Sequence, residues 1–250
     1  MYYIFEGADG SGKTSIMEEV HLRLNRLITP PNRGKIKKVR EPDGDYRKLI
    51  MREETTKEEE ILLFMADRIR INKEYKPQDI VLSDRSFISS IVYQLIYNET
   101  CNIETFTTLL KFVKHPQINR IYIITSDEFH GKEENKYDRV NREEIQNIYK
   151  NIIMKWCEKC NKDKGEVKEE YYKFISDLED KIVYLDNTNE EDLDKNVEII
   201  RGQIIDDFCK LHNKKKEKRW YTLKMVDLEC QEKRRKGIGG IKKWVKYKRK

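Results

Sequence analysis

Alanine is almost missing from this chain, with Ala8 and Ala66 the only two in 250 residues. Abundant Lys, Ile, Asn and Tyr go with that scarcity, a pattern of AT-rich coding that bears on source and not on function. Cysteine is sparse as well: Cys101, Cys157, Cys160, Cys209 and Cys230 are odd in number and scattered. That argues against a disulfide framework and leaves reduced thiols as the expectation. Cys157 and Cys160 form a C-x-x-C pair, but zinc takes four ligands, and no second pair or His at suitable spacing stands nearby. Long apolar runs are absent too, so no segment is expected to span a bilayer. The first strand pattern starts at Tyr2, leaving no room for a charged and then apolar leader, so a soluble, cytoplasmic protein is expected.

Length allows a real core, and one domain with additions is expected. The formal net charge of +6 is unevenly spread. Lys210 to Lys250 hold 17 basic against 4 acidic residues, a net of +13, which leaves −7 on residues 1–209. The division expected is therefore a domain over 1–209 and a basic extension over 210–250. Trp220, Tyr221, Trp244 and Tyr247 interleave with the tail's Lys and Arg. Basic plus aromatic is the footprint of single-strand nucleic-acid binding, and it is equally the composition of a solvated extension. No internal repeat or other low-complexity tract is present.

Ile4-Phe5-Glu6-Gly7-Ala8-Asp9-Gly10-Ser11-Gly12-Lys13-Thr14 is an apolar strand running into a glycine-rich turn and then a helix. The spacing fits a nucleoside-triphosphate loop, whose backbone N–H groups and helix N-terminus surround phosphates. Gly7, Gly10, Ser11 and Gly12 would form the cradle. Lys13 would meet the β and γ phosphates, and the Thr14 hydroxyl would bind Mg²⁺.

Short apolar runs alternate with helical patterns, which predicts an α/β fold: a five-stranded parallel sheet flanked by helices. Strands are expected at 2–6, 35–40, 79–83, 120–125 and 181–185. Helices are expected at 14–27, 57–75, 87–98, 103–114, 142–160, 169–178 and 190–209. Ligands in such folds bind at the carboxyl ends of strands. The polar stretch 127–141 reads as a lid loop.

Charged residues fall where that rule points. Arg40 precedes the Glu41-Pro42-Asp43-Gly44 turn and suits a phosphate, or else a surface ion pair. Asp84 and Arg85 end the third strand; Asp84 would hold Mg²⁺ or its waters and Arg85 a phosphoryl group, with a structural salt bridge as the alternative. Ser90, Tyr93 and Gln94 fall at i, i+3 and i+4, a polar face for substrate or for solvent, while Ile91, Val92 and Leu95 supply the core side. On the 57–75 helix the apolar stripe is Ile61, Leu62, Phe64, Met65 and Ile69. Phe64 and Arg68 share a face, as a base-stacking wall or as core. Arg139 and Arg142, with Lys132 and Lys136 as weaker candidates, are the charges able to close over a transferring phosphoryl group.

Taken in order, FEGADGSGKT, REPDG, LLFMADR, SDRSFISSIVYQ and YDRVNRE resemble the thymidylate kinase family over about residues 1–209. The resemblance implies a P-loop NTPase fold and an ATP- and Mg²⁺-dependent transfer to dTMP, in a homodimer. It implies that Asp9 meets the acceptor's 3′-hydroxyl, Phe64 stacks on thymine and Arg68 bonds its carbonyl. Arg40 and Arg85 would grip the acceptor phosphate. Gln94, with Ser90 alongside, would read the base edge, and Tyr93 would crowd the 2′ position. Gly10 follows Asp9 where one branch of the family has an arginine, so the chain resembles the branch with a lid arginine, here Arg139.

Departures from the family pattern are Ile124-Thr125-Ser126-Asp127 where an acid and a proline are usual, Ser86 where an aromatic is common, and a longer 157–180 segment. A deoxynucleoside kinase also pairs a phosphate loop with Asp-Arg-Ser, but a nucleoside acceptor does not need the extra arginines.

Overall fold

A computed structural model describes residues 1–27, 35–113, 116–128, 141–163 and 169–212. Its centre is a five-stranded, all-parallel sheet ordered β2-β3-β1-β4-β5, from β1 (Tyr2–Glu6), β2 (Ile36–Arg40), β3 (Ile80–Asp84), β4 (Ile118–Thr125) and β5 (Ile182–Asp186). The strands expected from the sequence are all present, with ends displaced by at most two residues.

Alternation along the central strands divides the core into two layers, as a strand's period of two requires. Tyr3 and Phe5 of β1, with Tyr122 and Ile124 of β4, face a layer covered by α1 (Lys13–Leu27) and α9 (Glu190–His212). Tyr2, Ile4, Ile121 and Ile123 face the opposite layer. That layer is covered by α3 (Lys57–Lys73), α4 (Phe87–Ser90), a π-helix (Ile91–Tyr97), α5 (Ile103–Phe112), α6 (Arg142–Lys150) and α7 (Ile152–Lys162). α8 (Glu169–Glu179) adds Leu178 and Phe174 to it. Burial on both faces explains why β1, β3 and most of β4 read as continuous apolar runs and not as alternating ones.

Four differences from the sequence reading have local causes. A short helix, α2 (Gly44–Ile50), follows the Pro42 turn where none was expected; its few apolar residues give too little periodicity to detect. The single helix expected over 142–160 is two, because Asn151 leaves helical geometry at φ −121°. The helix expected over 87–98 widens at Ile91 into π geometry, with Asn98 N–H bonding the Tyr93 carbonyl five residues back. Ile91, Val92 and Leu95 are fully buried as expected. On α3, Leu62 is 55% exposed and lies off the buried stripe of Ile61, Phe64 and Met65. α3 itself starts at a capping box, Thr56 and Glu59 each satisfying the other's backbone N–H.

Candidate active site

The phosphate loop joins the buried β1 to α1, and its glycines are sterically required. Gly7 has φ +148°, and a Cβ there would lie 2.2 Å from the Ile124 carbonyl oxygen. Gly12 has φ +83°, and its Cβ would lie 2.3 Å from Asn187 Nδ2. Backbone can therefore approach a ligand on one side while β4 and the β5 end press on the other. Asn187 Nδ2 donates to the Ser11 carbonyl at 3.2 Å, pinning the loop. Ser11 Oγ is buried without a partner among the described residues. The Lys13 ammonium is folded into this cradle, donating to the Ala8 carbonyl and to Asp9 Oδ1, each at 3.3 Å. Burial, and then the Arg85 charge, pull the Lys13 pKa below its ordinary value, so an anion has something to gain by neutralising it.

Beside the loop, Thr14 Oγ1 donates to Asp84 Oδ2 at 2.8 Å. Asp84 is 2% exposed, and its other oxygen, Oδ1, has no hydrogen-bond partner among the described residues. A buried, half-satisfied carboxylate next to a hydroxyl fits a hard divalent cation, which takes oxygen ligands and keeps most of its waters. Arg40 Nε lies 4.0 Å from Asp84 Oδ2.

A cleft of about 610 Å³, open mouth included, adjoins the loop. Asp9 reaches it from the loop, Arg40 and Pro42 from the end of β2, and Arg47 and Met51 from α2 and its C-terminus. Phe64 of α3, Arg85 and Ser89 after β3, and Tyr93 and Gln94 of the π-helix complete the lining. Arg85 holds φ +76°, an uncommon conformation for a non-glycine, which aims its side chain across the strand ends. Its Nη2 donates to Asp9 Oδ1 at 2.5 Å and its Nη1 to Ser89 Oγ at 3.0 Å, with the guanidinium 5.3 Å from the Tyr93 ring centroid. Burial opposes ionisation of Asp9, but Arg85 and Lys13 outweigh it and hold the carboxyl well below the usual carboxylate range. Gln94 Oε1 is buried without a partner among the described residues, an acceptor at the cleft wall.

Beneath the cleft lies a polar network that sequence reasoning missed. Glu6 is fully buried at the end of β1. It accepts from Ser86 Oγ at 2.7 Å, from Ser89 Oγ at 2.7 Å and from Tyr149 OH at 2.9 Å. Burial raises its pKa while these three donors and Arg85 pull it down. Ser86 also caps α4, accepting from Ile88 N–H at 3.1 Å. A serine in place of an aromatic therefore serves the network.

Behind Phe64, Arg68 is 2% exposed and donates Nε to Glu41 Oε2 at 2.7 Å and Nη2 to the Ser86 carbonyl at 2.8 Å. Its guanidinium carbon lies 5.6 Å from the Phe64 ring centroid. Burial pushes the Glu41 carboxyl up to about 7 against the pull of Arg68.

Six expected acceptor-side residues thus line one cleft: Asp9, Arg40, Phe64, Arg85, Tyr93 and Gln94. Arg68 stands behind it, and Ser90 is fully buried outside it, because the change to π geometry at Ile91 breaks the i, i+3, i+4 register. Ser89 takes the lining position. Arg142 opens α6, half-buried, while Arg139, Lys132 and Lys136 lie outside the described residues, as do Trp220, Tyr221, Trp244 and Tyr247 of the tail. Arg47, Met51, Ser89, Glu6 and Tyr149 were not anticipated. Of these Ser89 had the nearest signal, standing four residues after Arg85 and four before Tyr93.

Comparison with known proteins points to one family. The family model for thymidylate kinase matches residues 5–197. A probable thymidylate kinase of Methanosphaera stadtmanae is 31% identical over 224 residues, covering 82% of this chain and 97% of that protein. One from Methanococcus aeolicus is 30% identical over 202 residues, covering 74% and 98%. In fold, the crystal structure of thymidylate kinase from Ehrlichia chaffeensis superposes with a TM-score of 0.56 at 21% identity, covering 80% of this chain and 97% of that one.

Proposed function

The chain belongs to the thymidylate kinase family, an enzyme family that phosphorylates dTMP to dTDP, and we propose that it makes this transfer from ATP, with Mg²⁺, in the cleft beside the phosphate loop. The observation that carries the reading is Asp9. One oxygen, Oδ1, accepts from Lys13 of the phosphate loop and from Arg85 of the cleft, so donor and acceptor subsites meet at a shared ion-pair network. Two anionic substrates brought to that junction would have their reacting phosphates adjacent, the in-line arrangement phosphoryl transfer needs.

Each residue then has a task. The Gly7, Gly10, Ser11 and Gly12 backbone and Lys13 hold the ATP phosphates. Thr14 and Asp84 hold Mg²⁺, whose charge offsets that of the phosphate oxygens. Arg40 and Arg85 hold the acceptor phosphate, and Phe64 covers the base with Arg68 behind it. Gln94 supplies an acceptor suited to a ring N–H, and Tyr93 fills the space where a 2′-hydroxyl would sit. Ser90 is replaced by Ser89 in this proposal. Arg139 and Arg142 remain the proposed lid arginines, Arg139 on the sequence and the resemblance alone. A homodimer and a cytoplasmic setting are likewise proposed from the family, beside the observation that no helix among the described residues is long and apolar enough to cross a membrane. The proposed division stays near residue 209: the family match ends at 197 and α9 runs to His212.

ADP release with ATP and Mg²⁺ against dTMP, dUMP, other deoxynucleoside monophosphates and thymidine tests the reading. Selective turnover of dTMP is expected. Turnover of thymidine alone would replace it with a deoxynucleoside kinase.

A further inference from the structure

Three arginines face the cleft, and their charges are not equally answered. Arg85 bonds Asp9 at 2.5 Å, and Arg40 approaches Asp84 at 4.0 Å. Arg47, in the last turn of α2, lines the same cleft. Among the described residues it makes no side-chain hydrogen bond and no ion pair. It is half-buried, not splayed into solvent.

A guanidinium held there is under strain of a specific kind. Burial first, and then the like charges of Arg40 and Arg85, depress the Arg47 pKa, while Asp9 and Asp84 only partly compensate. Among the described residues the lining has one carboxylate, Asp9, and three guanidinium groups. Its charge is therefore positive before any ligand arrives. A half-buried cation without a partner costs free energy that an arriving anion returns, and a planar fork returns it best to oxygens that accept two parallel bonds.

We propose that Arg47 is a third acceptor-phosphate residue, which with Arg40 and Arg85 makes the cleft selective for a phosphorylated acceptor over the corresponding nucleoside. The proposal rests on the functional reading above and deepens it: it assigns discrimination by charge to a residue on α2, whereas Phe64 and Gln94 discriminate by base. With Arg85 already giving one Nη1 and one Nη2 bond to Ser89 and Asp9, a third guanidinium adds a fork from another direction to the terminal oxygens of a phosphate dianion.

The test is calorimetric binding of dTMP and of thymidine to the full chain, and to its Arg47→Gln and Arg47→Lys variants. The expected result is a loss of dTMP affinity of about tenfold or more in Arg47→Gln, as for one charge-assisted hydrogen-bonded contact, with thymidine affinity unchanged. Arg47→Lys, which keeps the charge and loses the fork, should lie between. If dTMP affinity changes less than twofold in both variants, the proposal is wrong. Equal weakening of dTMP and thymidine also overturns it, since Arg47 would then only support α2. If the unaltered chain binds no dTMP, the functional reading fails first and the proposal falls with it.

Discussion

Thr14 and Asp84 are joined by a 2.8 Å hydrogen bond that uses one carboxylate oxygen and leaves the other buried and, among the described residues, unpartnered. The residues are 70 positions apart in sequence, one opening α1 and the other ending β3. Their meeting follows from β1 and β3 being neighbours, paired in parallel so that Phe5 lies opposite Asp84.

That pair predicts a metal dependence with a distinct signature. Thr14→Ala and Asp84→Asn should each raise the Mg²⁺ concentration for half-maximal rate by about 10–100-fold. Excess Mg²⁺ should recover much of the rate in Thr14→Ala. A Mg²⁺ titration that superposes on the unaltered protein's would remove both residues from the metal site.

Glu41 predicts a pH dependence of stability. Its ordinary pKa of 4.5 is raised to about 7 in the fold, chiefly by burial. The folded state therefore holds a proton that the unfolded state has released, so this contribution is present below about pH 4.5 and is lost as pH rises through about 7. Arg68, Glu6 and Asp67 are the charges acting on it. Urea unfolding at pH 5 and pH 8 should find the unaltered protein gaining on Glu41→Gln at the lower pH, by at most about 3 kcal/mol. A stability difference that stays constant between the two pH values would mean that Glu41 is ionised throughout.

Ser89 and Tyr149 both donate to Glu6 Oε2, but only Ser89 also accepts from Arg85. Tyr149→Phe should therefore cost about 1–2 kcal/mol of stability and leave the KM for dTMP close to normal. Ser89→Ala should cost a similar amount and in addition raise that KM several-fold, since Arg85 Nη1 loses its anchor. Identical KM values in the two variants would show that Glu6 and Ser89 only hold the core together.

Much of this architecture is written in local pattern. The strand–glycine turn–helix of the phosphate loop, the apolar runs of the sheet and the acid-arginine pairs at strand ends all carry their meaning within about ten residues. Arg47 and Ser89 were harder to find because a lone charged or hydroxyl residue looks alike on a solvated face and in a cleft. Glu6 was hidden differently: read as part of the loop, it gives no hint of Ser86, Ser89 and Tyr149, which converge on it from 80 or more positions away. Ser90 misled because α-helical spacing was assumed where the backbone adds width. Arg68 and Phe64 do share a face, but the partner that fixes Arg68 comes from the Glu41 turn.

The π-helix from Ile91 to Tyr97 has a consequence for anyone wishing to transplant this pocket. Successive residues of an α-helix point about 100° apart, and a wider turn narrows that angle, so Tyr93 and Gln94 both look into the cleft though adjacent in the chain. On the proposed function, acceptor choice is thus partly a matter of backbone count. Copying Tyr93 and Gln94 onto a relative whose helix keeps ordinary α pitch would carry over two side chains without their directions. A successful graft would have to import the widened turn itself.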